Sequence, residues 1–72
     1  DYLKVCWIQS QCDNVTILLY YSNGTLAKTL VSQQYCEGNY TQMLKVAGVP
    51  RGVYMLKILI GGQIWSYKVL LQ

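Results

Sequence analysis

The fold of this chain is decided by the stretch Gly52-Val53-Tyr54-Met55-Leu56-Lys57-Ile58-Leu59-Ile60-Gly61-Gly62-Gln63-Ile64-Trp65-Ser66-Tyr67-Lys68-Val69-Leu70-Leu71, which reads as two β-strands joined by a glycine turn. Pro50 fixes φ and lacks a backbone donor, so it fits the bend before the first strand. Gly52 lets the chain turn into that strand, and Gly61 and Gly62 are expected to supply the positive φ angles of a two-residue turn. The stretch therefore predicts an antiparallel hairpin with an exposed edge to which a partner can bind.

Side chains alternate between the two faces of each predicted strand. One face of the first strand carries Tyr54, Leu56, Ile58 and Ile60, and the other carries Val53, Met55, Lys57 and Leu59. On the second strand we expect the core-facing residues to be Trp65, Tyr67, Val69 and Leu71, and the other face carries Ile64, Ser66, Lys68 and Leu70. This orientation predicts an exposed apolar patch, a feature that often marks an interaction site. Its members are Met55, Leu59, Ile64 and Leu70.

Length and composition indicate one small, packed β-structure. The chain has 72 residues, of which 53% are hydrophobic, with seven tyrosines and two tryptophans. A chain of this size buries only about 60% of its unfolded surface, so the apolar content is needed for stability. The net charge of +3 is carried by scattered basic residues, which argues against nucleic acid as a partner.

Turn signals divide the rest of the chain into further short strands. Strands are predicted over residues 2–8, 15–21, 25–31 and 40–46, with polar loops over 9–14 and 32–39. The turn before residue 25 is the hairpin signal Ser22-Asn23-Gly24. In the second strand Val15, Ile17 and Leu19 form the predicted inward face. No amphipathic helix, repeat or low-complexity tract interrupts the pattern, so residues 1–72 are predicted to form a single β-sandwich domain.

The three cysteines permit at most one internal disulfide and leave an odd thiol. The chain has no histidine and its cysteine spacings match no zinc pattern, so no metal or cofactor is expected. Small apolar side chains near a core are the favoured interpretation of these residues. If a bridge forms, Cys12 with Cys36 is the preferred pair, because both lie near predicted loops; the third cysteine is Cys6.

Nothing in the chain predicts an enzyme or a membrane-spanning helix. The carboxylates Asp1, Asp13 and Glu37 lie at a terminus or in predicted loops, and a cysteine nucleophile would lack an imidazole base. Charged residues interrupt every apolar run that approaches the length of a membrane span. The chain opens without a methionine, so we expect it to be a piece of a longer protein.

The order of the motifs resembles the C-terminal sorting domain of proteins exported by the type IX secretion system of Bacteroidota. In that family a strand ending in a Tyr-x-x-x-Gly turn precedes a Gly-Val-Tyr motif, and a lysine followed by apolar residues closes the chain. The matching positions are Tyr20 to Gly24, Gly52-Val53-Tyr54 and Lys68-Val69-Leu70. The likeness covers nearly the whole chain.

The resemblance implies an all-β, immunoglobulin-like antiparallel β-sandwich of about seven strands. It implies a non-catalytic signal attached to an upstream cargo domain and exported through the periplasm to the cell surface or the extracellular space. The implied partners are the outer-membrane secretion machinery and a sortase-like peptidase that removes the domain. The predicted recognition residues are Gly52, Val53, Tyr54, Lys68, Val69 and Leu70, and the predicted turn-forming residues are Gly24, Gly61 and Gly62.

The predicted recognition residues also have structural explanations, and the chain has other candidate functions. Gly52 and Tyr54 suit a turn and a buried corner, where the tyrosine hydroxyl can reach a backbone partner. Lys68 can meet a partner's carboxylate, or it can protect an edge strand from aggregation. A homodimer through the exposed apolar edge is a further candidate. So are a generic immunoglobulin-like spacer or adhesion module and a eukaryotic glycoprotein domain, the latter because Asn14, Asn23 and Asn39 each begin an Asn-x-Thr tripeptide.

Overall fold

The computed structural model describes residues 2–72, so Asp1 lies outside the described part of the chain. These residues form six antiparallel strands: β1 (Tyr2–Gln9), β2 (Asp13–Tyr21), β3 (Leu26–Tyr35), β4 (Gly38–Lys45), β5 (Gly52–Ile60) and β6 (Gln63–Leu71). The predicted all-β sandwich is confirmed, with six strands where about seven were expected. No helix within residues 2–72 has the length and apolar character needed to cross a membrane.

The strands divide into two sheets of unequal width. The smaller sheet pairs β1 with β4, and the larger has the order β3-β2-β5-β6. Every pairing is antiparallel, and the β5–β6 register runs without a shift from Gly52 opposite Leu71 to Ile60 opposite Gln63. The predicted hairpin is thus present with the predicted ends.

The core lies between the sheets and is built by period-2 alternation. Val15, Ile17 and Leu19 of β2 are fully buried, as their spacing predicts. They pack in one cluster with alternate residues of β5 and with residues of the smaller sheet. The remaining buried hydrophobic residues are Val5, Val31, Leu44, Val46, Tyr54, Leu56 and Ile58.

Several strand boundaries differ from the predicted ones, most of all at the end of β3. The loop predicted to begin at residue 32 is wrong, because β3 continues to Tyr35 and pairs there with the start of β2 at Asp13. The polar residues 32–34 have exposed side chains, yet their backbone belongs to the sheet ladder. Polar residues in this strand therefore mark exposed side chains and do not indicate the end of pairing.

The predicted face of β6 points inward along the whole strand, but only part of it is covered. Val69 and Leu71 pack against the core, but Trp65 is 39% exposed and Tyr67 is 51% exposed. The prediction that these two rings lie in the core is wrong. Two strands cannot cover the inner face of four, so the part of β6 that carries Trp65 and Tyr67 extends beyond the smaller sheet.

A disulfide closes the end of the sandwich at which β1 leads into β2. It joins Cys12 to Cys36, which confirms the preferred pairing, and Cys6 is a free, exposed thiol. Next to the bridge the rings of Trp7, Tyr35 and Tyr40 contact one another with centroid separations of 4.8 to 5.3 Å. The disulfide and the aromatic cluster together connect both sheets at this end.

The buried side chain of Gln9 completes the same end. Its Nε2 donates hydrogen bonds to the carbonyl oxygens of Tyr35 at 2.8 Å and Gln11 at 3.0 Å, and its Oε1 accepts one from Trp7 Nε1 at 3.1 Å. Gln9 was predicted to lie in a loop, and the structure instead makes it the last residue of β1. Burial of this amide is tolerated because both ends of the side chain are hydrogen-bonded.

Removing the disulfide tests how much this closed end contributes to stability. The bridge spans 24 residues, and loop-closure entropy for such a span corresponds to roughly 3 kcal/mol of unfolding free energy. We expect Cys12→Ser/Cys36→Ser to lose about that amount in urea unfolding monitored by circular dichroism. Cys6→Ser is the matched control and should unfold at the wild-type midpoint; equal midpoints for all three proteins would contradict the prediction.

Candidate functional site

The turn of the β5–β6 hairpin depends on Gly61. Its φ is +59°, whereas Gly62 is not among the residues of positive φ, so the expectation of two positive angles is wrong. A positive φ at the first central position alone is the pattern of a type II′ turn, which suits the twist of a hairpin. A Cβ on Gly61 would lie 3.1 Å from Asp13 Oδ2, so the neighbouring carboxylate also favours glycine. The Gly61 N–H donates to the Asn14 carbonyl at 3.4 Å.

The entrance to β5 is fixed by a hydrogen-bonded tyrosine. Gly52 has φ +148°, a conformation that other residues rarely adopt, and Tyr54 two positions later is buried. The Tyr54 hydroxyl donates to the carbonyl oxygen of Pro50 at 2.5 Å, which confirms the expected backbone partner. This is the geometry of the tyrosine corner found in immunoglobulin-like sandwiches. It ties the bend before β5 to the strand itself.

Burial also changes the acidity of that hydroxyl. Desolvation raises the pKa of Tyr54 above its ordinary value of 10.0, and the neighbouring Tyr21 raises it further. The rings of Tyr54 and Tyr21 lie with their centroids 5.6 Å apart. The hydroxyl therefore stays protonated, and able to donate to Pro50, at higher pH than a tyrosine in water.

The smaller sheet contains a second corner of the same kind, which sequence reasoning missed. Tyr40 donates its hydroxyl to the carbonyl oxygen of Cys36 at 2.6 Å, again four residues upstream. It stands two positions after Gly38, as Tyr54 stands two positions after Gly52. The repeated Gly-x-Tyr spacing is the sequence signal that could have predicted it. Each sheet thus has one strand entrance held by a tyrosine.

The hairpin brings the two groups of predicted recognition residues together. Val53 pairs with Leu70, Tyr54 pairs with Val69, and Lys68 lies opposite Met55. The alternation of side chains then divides these residues between the two faces of the sheet. On the inner face Tyr54 is buried and Val69 packs against the core. Val53 is 43% exposed, Leu70 is 61% exposed and Lys68 is exposed. These three residues form one solvent-facing group; Gly52 is half-buried at its end.

The outer face of β5 and β6 around this group is apolar and positively charged. The predicted exposed patch is present at Ile64 and Leu70, whereas Met55 and Leu59 are half-buried. Within these two strands the charged residues are Lys57 and Lys68. The Lys57 ammonium lies 4.9 Å from the centroid of the Tyr20 ring, a cation–π contact that holds it against β2. Lys68 extends from the strand at the edge of the sheet.

The third predicted turn residue, Gly24, lies in the hairpin between β2 and β3. Its N–H donates to the Tyr21 carbonyl at 2.9 Å, and the Asn23 side chain accepts from the Thr25 N–H at 3.0 Å. The predicted turn is therefore present, and Asn23 serves it as a side-chain acceptor. Gly24 lies beyond the C-terminal end of β2, whereas the β5–β6 turn lies beside the start of that strand.

Shallow clefts mark both ends of the seam between β1 and β6. One has a volume of about 420 Å³ and is lined by residues that include Ile8, Gln9 and Trp65. The other has a volume of about 430 Å³ and is lined by residues that include Leu3 and Leu71. Within the described chain no group of three or more histidine, cysteine, aspartate or glutamate residues is placed to hold a metal ion.

These features define a small β-sandwich whose distinctive surface is an exposed hairpin. The family described as secretion system C-terminal sorting domain has a model that matches residues 2–72, and the chain belongs to this family. Searches of curated proteins and of solved structures found no match. The resemblance seen in the sequence is thereby confirmed.

The family gives the chain its role and destination. The chain is a C-terminal secretion signal for type IX export. It marks the protein that carries it for the cell surface or the extracellular space. Contact with the type IX machinery and with an attached cargo follows from that role. A homodimer through the exposed edge receives no support from the family match.

Tyr54→Phe tests the corner in β5. The substitution leaves the ring and removes the hydroxyl that donates to Pro50, so we expect a loss of about 1 kcal/mol in the free energy of unfolding. Urea unfolding followed by circular dichroism measures the change. Tyr67→Phe, at an exposed ring, is the control and should leave stability unchanged; equal losses from both variants would contradict a specific role for the corner.

Alkaline pH should weaken the same corner. Because the pKa of Tyr54 is raised by folding, its stabilising contribution is fully present below the unfolded pKa near 10.0 and is lost as pH rises through the folded value. We expect the unfolding free energy to fall more steeply above pH 10.0 than in Tyr54→Phe, in a Cys6→Ser background that prevents thiol exchange. Urea titrations across that range provide the comparison, and parallel pH profiles would contradict the expectation.

Proposed function

We propose that the type IX machinery reads this signal through the outer face of the β5–β6 hairpin. The observation that carries the proposal is the exposed group formed by Val53, Lys68 and Leu70, which two strands bring together on one face. Tyr54 and Val69 act differently, because their inward position makes them supports of that face. In this proposal residues 1–72 are a single domain, and the remaining strands hold the hairpin in shape.

The chemistry of the face indicates the chemistry of its partner. Leu70 is largely exposed, and complete burial of a leucine side chain contributes about 1.5–3 kcal/mol, so an apolar surface on the partner would supply affinity. Lys68 lies among apolar neighbours, and a carboxylate placed opposite its ammonium would fix orientation and favour the correct partner. The partner surface is therefore apolar with a matching acidic group.

We also propose that the domain performs no catalysis and is removed by a sortase-like peptidase after export of its cargo. The chain contains no histidine, and the carboxylates of Asp13 and Glu37 belong to different strands or turns. Asp13 lies beside the β5–β6 turn, where its carboxylate occupies the space that a side chain on Gly61 would need. These features support a role as a non-catalytic signal.

The experiment uses a secreted reporter fused to the whole chain in a bacterium that has a type IX secretion system. We expect Lys68→Glu and Leu70→Asp each to lower the exported fraction by about tenfold, the equivalent of 1.4 kcal/mol of lost binding. Both side chains are exposed, so the purified variants should keep the wild-type unfolding midpoint.

The control is Lys4→Glu, which makes the same charge change on an exposed lysine of β1. It should be exported like the wild-type fusion. Undiminished export of both hairpin variants, or equal loss in the Lys4→Glu control, would contradict the proposal.

A further inference from the structure

The free edge of β6 is a second feature of the hairpin, distinct from its outer face. Within residues 2–72, β6 pairs with β5 along one side and has no strand along the other. The strand is nine residues long and its register contains no bulge. An unprotected edge of this length presents a row of backbone donors and acceptors to which an extended segment can pair.

The turn determines which backbone groups point to that edge. Ile60 and Gln63 flank a two-residue turn, and the pair that closes such a turn is hydrogen-bonded. Hydrogen-bonded and non-hydrogen-bonded pairs alternate along an antiparallel ladder, so Trp65 and Tyr67 bond to β5. The residues whose N–H and C=O groups point to the free edge are Ile64, Ser66, Lys68 and Leu70.

Apolar side chains lie on both faces beside this edge. Trp65 and Tyr67 are exposed on the inner face, and Ile64 and Leu70 are exposed on the outer face. Edge strands usually carry charges, proline or a bulge that prevent pairing, and β6 has only the charge of Lys68. An added strand would bury apolar surface on both faces while it formed main-chain hydrogen bonds.

The region beside the free edge of β6 is open at both of its ends. The clefts between β1 and β6 lie at both ends of the seam, and the inner-face rings border the region that the smaller sheet leaves uncovered. A strand added about 4.8 Å from β6 would have alternate side chains directed toward Trp65 and Tyr67. It would extend the larger sheet to five strands and close the seam.

We propose that β6 receives an extended strand of the type IX machinery by main-chain pairing, which deepens the proposed function and rests on it. The strand has alternating apolar residues and a carboxylate opposite Lys68. Charge complementarity favours this occupant over a second copy of the chain, because β6 of a second copy has no acidic side chain to place opposite Lys68.

Ser66→Pro tests main-chain pairing directly. It removes one N–H that points to the free edge and none that bonds to β5, and proline is tolerated at such positions of an edge strand. In the reporter fusion we expect export to fall by about tenfold, the equivalent of 1.4 kcal/mol. The matched control is Ser66→Ala, which keeps the N–H and should be exported normally.

Tyr67→Lys provides an independent test through the inner face. The ring is half exposed, so a lysine can be accommodated in the folded domain, but its charge would be buried by an added strand. We expect folded protein with about tenfold lower export, whereas Tyr67→Phe should be exported normally. Circular dichroism of the purified variants separates loss of folding from loss of pairing.

The outcomes distinguish this inference from the proposed function. If Ser66→Pro and Tyr67→Lys are exported normally while Lys68→Glu is not, strand addition is overturned. Recognition through the outer face of the hairpin would still stand. Normal export of these three variants and of Leu70→Asp would overturn both. A wild-type dimer that Ser66→Pro dissociates in analytical ultracentrifugation, with export unchanged, would assign the edge to a second copy and also overturn the inference.

Discussion

The constraint on which the structure depends is the unequal width of its two sheets. Val15, Ile17 and Leu19 in β2 form the centre of the core, and alternate residues of β5 extend it. The smaller sheet has two strands and covers this centre, but it cannot also cover the whole of β6. Part of the inner face of β6 therefore remains uncovered, with the aromatic rings of Trp65 and Tyr67 exposed. The stability of the core and the exposure of the hairpin have the same geometric origin.

The surface of the hairpin is useful only if its position is rigid, and several interactions hold it. The hydrogen bond from Tyr54 to Pro50 fixes the bend before β5, and Asp13 and Asn14 contact the turn at Gly61. At the disulfide-linked end, Gln9 joins β1 to the end of β3. These contacts lie away from the exposed residues of β5 and β6. The structure thus separates the groups that maintain the fold from those available to a partner.

This separation explains how the same short motif can be both structural and recognised. In Gly52-Val53-Tyr54 the first and third residues shape the corner, whereas Val53 between them is exposed beside Leu70. Val53 and Leu70 lie opposite each other only when the Tyr54 corner holds the entrance to β5. A partner that contacts both residues therefore depends on the corner without touching it. If the machinery reads the outer face of the hairpin as proposed, it recognises a folded surface and not a linear peptide.

The sequence by itself determined the hairpin, its faces and the family. The glycine turn and the alternation in residues 52–71 were sufficient for the hairpin and its faces, because both are local properties of the chain. The order of the short motifs along the chain indicated the family. Local polarity was a poor guide at residues 32–35 and at Gln9, where backbone pairing and a buried amide network depend on distant residues.

Only the tertiary structure decided which apolar residues are exposed. Trp65 and Tyr67 have the spacing of core residues, and nothing in their own strand indicates that the opposite sheet ends before reaching them. By contrast, alternation alone already separates Val69 from Lys68 and Leu70. The packing adds that Tyr54 and Val69 are covered by the core. Alternation specifies two faces, but the packing of the second sheet determines how much of each face is buried.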